Sequence, residues 1–258
     1  MAEQTFIVTE DDVRAMLLAG DCIAGQAGRS MLAKVLKGSR DKKLLSLGLD
    51  SSPAYGYFRS LTLDQITERV DWMIMNDFLA IDHARDMPLL VFSDRGWDIL
   101  IEMTAERMLK QWEIWVEANA APLDMTYLKD RNRGMTLLFL EKVALTGDAR
   151  YIPLLQRWAL LDYRKVREAI GKVVNHLERE NTEQLELEGA HRSIYYTPGE
   201  PLIEPRGSER LKCWECGKRF EWTVKEQDKF RMRGWEPPKR CESCREERRN
   251  MREAWLWE

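Results

Sequence analysis

The chain has 258 residues, of which 44% are hydrophobic and 32% charged, with a formal net charge of −3. That length holds one large or two to three small domains, and the composition fits a soluble globular protein with many exposed helices. No apolar run is long enough to span a bilayer, and the first residues lack the basic-then-apolar pattern of a secretory signal, so the expected location is the cytoplasm; the negative total also excludes global attraction to polyanions and leaves only local patches.

Thr9 followed by Glu10, Asp11 and Asp12 predicts a helix start, with Val13, Met16, Leu17 and Leu18 as its apolar face and Gly20 as its end. A glycine-punctuated turn leads to a second helix over 29–36, with Met31, Leu32, Val35 and Leu36 inward and Lys34 and Lys37 off that face. Gly38 stops it. Ser39 is then read as the cap of a short third helix carrying Leu44, Leu45 and Leu47. Residues 28–43 hold six basic side chains, Arg29, Lys34, Lys37, Arg40, Lys42 and Lys43, against the single acid Asp41. Free N–H groups at the start of the third helix would add an anion site at Ser39.

Thr62 to Gln65 is a capping-box pattern. The helix it opens has an apolar stripe of Ile66, Val70, Met73, Ile74 and Phe78, and an outer face of Asp64, Glu68, Asp71 and Asp77 against Arg69. Residues 78–81 and 89–92 are apolar runs separated by a turn, a hairpin signal. Ser93 and Asp94 then cap a long helix over 95–118 that contains Trp97, Trp112 and Trp115. Several helices followed by a two-stranded hairpin is the order of a winged helix. It is equally the order of an α+β domain with a basic surface helix, and the pattern alone leaves both open.

Further on, Leu137, Leu138, Leu140, Val143 and Ala144 form one helical stripe, and Ile152, Leu154, Leu155 and Trp158 a second. Asp162 is read as the cap of a third helix. Trp112 and Trp115 are assigned to the core, and Arg164, Lys165 and Arg167 to a solvated helix start. Residues 181–210, acidic and then rich in proline and glycine, read as a linker. The expected division is 1–120, 121–180, 181–210 and 211–258.

Cys213-x-x-Cys216 and Cys241-x-x-Cys244 are two pairs at metal-site spacing. Four thiolates satisfy a tetrahedral structural zinc with no open position for catalysis. Cys22 reads as a small buried residue. The C-terminal part, 206–254, has fifteen basic residues against ten acidic ones. Lys218, Arg219, Arg231, Arg233, Lys239 and Arg240 surround the metal pairs, and Phe220, Trp222, Phe230 and Trp235 are the expected small core.

The string VLKGSRDKKLLSLGL, then YGYFRS, a helix, a hairpin and SDRGW, resembles the RQC domain, the winged helix that follows the motor in RecQ helicases. The resemblance covers about residues 9–105. No G-x-x-x-x-G-K-[ST] loop is present, so the expectation is a free-standing member similar to the "RQC-minor" class of bacterial DNA-binding proteins. The resemblance implies a grip on DNA through the second helix, the turn after it and the wing. Lys37, Gly38 and Ser39 match the phosphate-contact turn and Arg59 a further basic contact, with Arg40, Lys42 and Lys43 supplementing them. Wing-tip candidates are His83, Arg85 and Met87; His83 reads equally as an exposed loop histidine, and base-pair separation stays open. The run GDARYIPLLQRWALLDYRKVREAIGKVV resembles a HEAT repeat, and CWECGKRFEW with GWEPPKRCESC resembles a zinc ribbon. The expected fold is therefore mainly α with little β: winged helix, HEAT-like segment and four-cysteine zinc ribbon. The expected function is non-enzymatic nucleic-acid binding with one structural zinc. DNA is the first partner; an RNA-directed or translation-linked adaptor and a scaffold for a helicase or nuclease are the alternatives.

Overall fold

The computed structural model describes residues 8–83, 88–120, 122, 124–129, 131–179, 184–203 and 207–255. They divide into two compact units, Met1–Ser93 with Pro201–Glu258, and Asp94–Glu200. The wing-tip positions Arg85 and Met87 lie outside the described residues.

The first unit begins with α1 (Glu10–Asp21). Thr9 Oγ1 accepts from the Asp12 amide and the Asp12 carboxylate accepts from the Thr9 amide, so the acids after Thr9 do cap this helix. Gly20 does not end it. The helix ends one residue later, at Asp21, and a Cβ at Gly20 would sit 3.3 Å from the Phe92 ring, so this glycine also makes room for packing. α2 (Arg29–Lys37) stops at Gly38, which is left-handed at φ 74° and ψ 40°. α3 (Lys42–Ser46) is short and buries only Leu44. α4 (Leu63–Met75) opens on the expected Thr62/Gln65 capping box. β1 (Leu79–Asp82) and β2 (Leu89–Phe92) pair antiparallel, with Leu79 opposite Phe92. Met16, Leu32, Leu36, Leu44, Ile66, Val70 and Met73 are fully buried between these helices. Each such side chain contributes about 1.5–3 kcal/mol. The fold is a winged helix.

The second unit is helical. α5 (Asp94–Glu117) packs against α6 (Arg133–Leu145), and α8 (Arg164–Glu178) packs against both α6 and α7 (Ile152–Ala159). Trp112 is fully buried, with ring centroids of Phe139 at 4.9 Å and Trp158 at 5.8 Å. This places it in the core, as its spacing predicts. Asp162 does not cap α8: its carboxylate accepts from Trp158 Nε1 at 2.8 Å and from the Tyr163 amide at 2.7 Å, and Tyr163 takes the cap position.

Residues 184–200, read from the sequence as linker, run along this unit. The Asp98 carboxylate, on α5, accepts from His191 Nε2 at 2.6 Å, Ser193 Oγ at 2.5 Å, and the amides of Ile194 and Tyr195 at 2.9 and 2.7 Å. Arg192 forks onto Glu141 at 2.7 and 2.8 Å. The proline- and glycine-rich composition hid these polar anchors.

The chain then returns to the first unit. The Leu202 amide donates to Glu10 Oε1 at 3.1 Å. β3 (Glu209–Lys212) and β4 (Arg219–Trp222) form a second hairpin. α9 (Val224–Met232) packs against α4, and α10 (Glu242–Trp255) closes the described chain. No described helix is long and apolar enough to cross a membrane.

Candidate nucleic-acid interface and metal centre

The basic turn is built by two backbone segments that meet closely. The Gly38 amide donates to Val35 O at 2.9 Å and the Ser39 amide to Lys34 O at 3.0 Å, closing the last turn of α2. The loop before α4 then supplies the Gly56 amide to Val35 O and the Phe58 amide to Leu36 O, both at 2.9 Å. A Cβ on Gly38 would stand 3.0 Å from Gly56 Cα, and both glycines have positive φ, 74° and 73°. A side chain at either place would be strained and crowded. The Arg59 guanidinium lies over this junction, since a Cβ on Gly56 would be 2.9 Å from its Nη2.

The expected contact residues separate into two groups. Arg40, Lys42, Lys43 and Arg59 are exposed around the turn. Three others are engaged within the protein. Arg29 pairs with Asp71 at 2.6 Å, Lys34 with Asp41 at 2.8 Å, and Lys37 Nζ donates to the carbonyls of Arg59 and Leu61 at 2.8 and 2.7 Å. His83 is exposed at the end of β1.

Ser39 does not cap α3. The cap is Asp41, whose Oδ1 accepts from the amides of Lys43 at 2.9 Å and Leu44 at 3.3 Å. The Lys34 ammonium, with these amides, holds the Asp41 carboxyl below its ordinary value. The carboxylate therefore occupies the helix start where an anion site was expected. Ser39 Oγ instead accepts from the Asp41 amide at 3.3 Å, and its carbonyl from the Tyr55 hydroxyl at 3.0 Å. Sequence reasoning missed Asp41 and Tyr55. An acid immediately before Lys42 and Lys43 was a cap signal, but the adjacent serine drew the assignment.

On α4, Asp64 and Glu68 are exposed. Arg69 turns inward, its guanidinium 5.5 Å from the Phe58 ring centroid and Nη1 donating to Gln65 O at 3.0 Å. The outer face keeps Asp64 and Glu68 exposed with Arg69 withdrawn, while Asp71 is paired with Arg29 and Asp77 lies past the end of the helix.

At the C-terminal end, Cys213 and Cys216 sit on a knuckle between β3 and β4. The Cys213 amide donates to Lys218 O at 2.9 Å, the Gly217 amide to Cys213 O at 3.0 Å, and Gly217 has φ 72°. The second pair sits differently: Cys241 immediately precedes α10 and Cys244 lies in its first turn. All four sulfurs are within 4.8 Å of one another, and Cys216 and Cys241 are 3.8 Å apart. Zn–S bonds of about 2.3 Å in a tetrahedron need sulfurs about 3.8 Å apart, so the set fits zinc. Backbone amides of Cys216 and Cys241 bring the Cys213 thiol down to about 6, whereas the Cys241 side chain and burial push Cys244 up to about 12. Four thiolates this close require a central cation. Zinc supplies that charge as a structural ion and leaves no fifth position for a substrate. Trp222 and Phe230 pack edge-to-face at 6.0 Å as the small core beside it, whereas Trp235, edge-to-face with Phe230 at 5.4 Å, is half-exposed and not the core residue the sequence suggests.

Two segments of the chain match known domain families. Residues 5–111 match the RQC domain. Residues 209–253 match a probable treble clef domain, the hairpin-plus-helix relative of the expected ribbon and the arrangement that β3, β4 and α10 display. The chain is also similar to the ATP-dependent DNA helicase RecQ of Bacillus subtilis (strain 168), 30% identical over 73 residues, which are 28% of this chain and 12% of that protein. It therefore spans about an eighth of the length of that relative. No solved structure matches the chain.

Proposed function

We propose that the chain is a non-enzymatic DNA-binding protein whose RQC-type winged helix grips the phosphate backbone at duplex ends, junctions or distorted sites, with the zinc-bound treble clef as a second contact. The observation that carries this reading is the Gly38–Gly56 junction, where Arg59 and the exposed Arg40, Lys42 and Lys43 project from a backbone held rigid on both sides. The acidic outer face of α4 would repel phosphates, which disfavours docking by that helix. Similarity to a DNA helicase supports DNA as the ligand. On the treble clef, Trp214 is exposed with Lys239 Nζ 5.1 Å from its ring, and half-exposed Trp235 has Arg233 Cζ at 4.7 Å. Aromatic faces beside cations suit stacking of unpaired bases.

The test is a binding panel of blunt duplex, forked duplex, single-stranded DNA and matched RNA. Each phosphate contact should steepen the fall of affinity with salt by about 0.9 in the double-logarithmic slope. Affinity for every DNA ligand that stayed flat between roughly 50 and 200 mM salt would overturn the reading. Preference for RNA over its DNA match would replace it with the RNA-directed alternative.

A further inference from the structure

The second unit contains a cleft of about 470 Å³ where the starts of α6 and α8 meet. Arg131, Arg133, Arg164 and Lys165 line it, against one carboxylate among the described residues, Asp162; Arg131 Nε also donates to Tyr127 O at 2.8 Å. Asp162 faces inward, each of its oxygens occupied by a protein donor, so its charge is partly spent on Trp158 and the Tyr163 amide. A second cleft of about 480 Å³ shares Arg133 and Lys165 and continues to Lys172, with the carboxylates Glu168 and Glu188 also in its wall. The cations are thus concentrated in the first cleft, where the starts of α6 and α8 meet. Glu168 leans on Arg164 at 3.4 Å. Tyr163, 58% exposed, stands at the mouth with Lys129 Nζ 5.1 Å from its ring. Arg133 and Lys165 are exposed. α8 has no side-chain cap, so the first-turn amides of Arg164 and Lys165 point the same way without an intrahelical acceptor.

We propose that this cleft is a second phosphodiester-binding site, through which the helical unit holds nucleic-acid backbone by Arg131, Arg133, Arg164 and Lys165. The inference rests on the reading of the chain as a nucleic-acid binder, and it assigns contact to residues that sequence reasoning left on a solvated helix start. Guanidinium groups fork onto phosphate oxygens, and concentrating them in a concave site strengthens each contact.

The experiment compares three full-length, zinc-loaded proteins on a fluorescein-labelled forked DNA duplex across a salt series: wild type, Arg40→Glu with Lys43→Glu in the winged helix, and Arg133→Glu with Lys165→Glu in the cleft. The cleft pair is expected to lose at least about tenfold in affinity and about two units of salt slope, with an unchanged far-ultraviolet spectrum and melting temperature. Should that pair unfold, Arg164→Gln with Lys165→Gln carries the same comparison at exposed positions, with about the same loss of slope expected. Wild-type affinity and slope in a folded cleft variant would overturn the inference and leave the winged-helix reading standing. A wild type with no salt dependence would overturn both. Free pyrophosphate as competitor separates the sources of the anion: displacement only by oligonucleotide supports the proposal, and displacement by pyrophosphate at micromolar concentration overturns it in favour of a small-anion site.

Discussion

The Lys37 ammonium donates to the backbone carbonyl of Arg59 at 2.8 Å. The two basic residues that the sequence marks as parallel phosphate contacts are therefore in series, one fixing the backbone that carries the other. Lys37→Ala is expected to lower stability by about 1–2 kcal/mol, because two carbonyls lose a charged donor. Arg59→Ala should stay within about 0.5 kcal/mol of wild type in urea denaturation, yet weaken DNA binding. A double-mutant cycle on binding should show coupling of about 1 kcal/mol or more. Strict additivity would mean that Lys37 meets DNA independently.

The close approach of Gly38 and Gly56 makes a second prediction. Gly56→Ala forces a Cβ to within 2.9 Å of the Arg59 guanidinium at a φ of 73°. Strain of about 1–2 kcal/mol in the left-handed region is expected, and calorimetry should record it as a lower melting temperature together with weaker binding. A variant that melts and binds like wild type would show that the turn tolerates a wider junction.

The cap of α3 can be tested by contrast. Asp41→Ala removes the acceptor for two amides and the partner of Lys34, and should cost about 1 kcal/mol. Ser39→Ala loses one bond of 3.3 Å and is expected to cost less in the same chemical denaturation series. The reverse order would restore Ser39 as the cap.

Asp98 makes the second unit acid-sensitive. Burial alone would raise its carboxyl, but the bonds from Ser193, Tyr195, His191 and Ile194 outweigh that and hold it below the ordinary 3.8. A carboxyl depressed in the folded state contributes stability that is complete above its unfolded value, near pH 4, and is lost as pH falls through the folded value. Hydrogen exchange at the Ile194 and Tyr195 amides, corrected for intrinsic rates, should accelerate below about pH 4. Asp98→Asn should weaken protection there by about 2 kcal/mol at neutral pH. Equal protection in both proteins would show that the anchor is not the carboxylate.

Chelation of zinc should unfold the treble clef, since the metal supplies most of the folding free energy of so small a domain. Because α9 packs against α4, the winged helix should also lose stability. An equilibrium melt of the chelated protein that leaves the winged-helix transition unmoved would show the two parts to be independent.

Where local chemistry decided the outcome, the sequence was readable. The Thr9 and Thr62 capping boxes, the Gly38 stop, the hairpin runs and the paired cysteines all act within a few residues and stand where their patterns place them. What the pattern concealed depends on contacts across the chain. Lys37 looks free until the loop at Arg59 returns to it, and 187–196 looks like linker until Asp98, nearly a hundred residues earlier, gathers its donors. The cleft cations at 131–133 and 164–165 are separate pairs in sequence and one surface only in space. Asp162 has the residue type of a cap, but a tryptophan four positions back claims it.

The first unit is interrupted: the chain leaves it at Ser93 and returns at Pro201. During vectorial synthesis the ribosome therefore delivers α1 to α4 well before the segment that covers them. The flank of α4 that receives α9, and the Glu10 carboxylate that receives the Leu202 amide, wait while the whole helical unit emerges and folds. Until then the nascent winged helix lacks the contacts that α9 and the Leu202 amide supply, and incomplete packing is the stage at which chains aggregate. Completion of the first unit therefore waits on the segment from Pro201 onward, whose four clustered cysteines tie its folding to zinc.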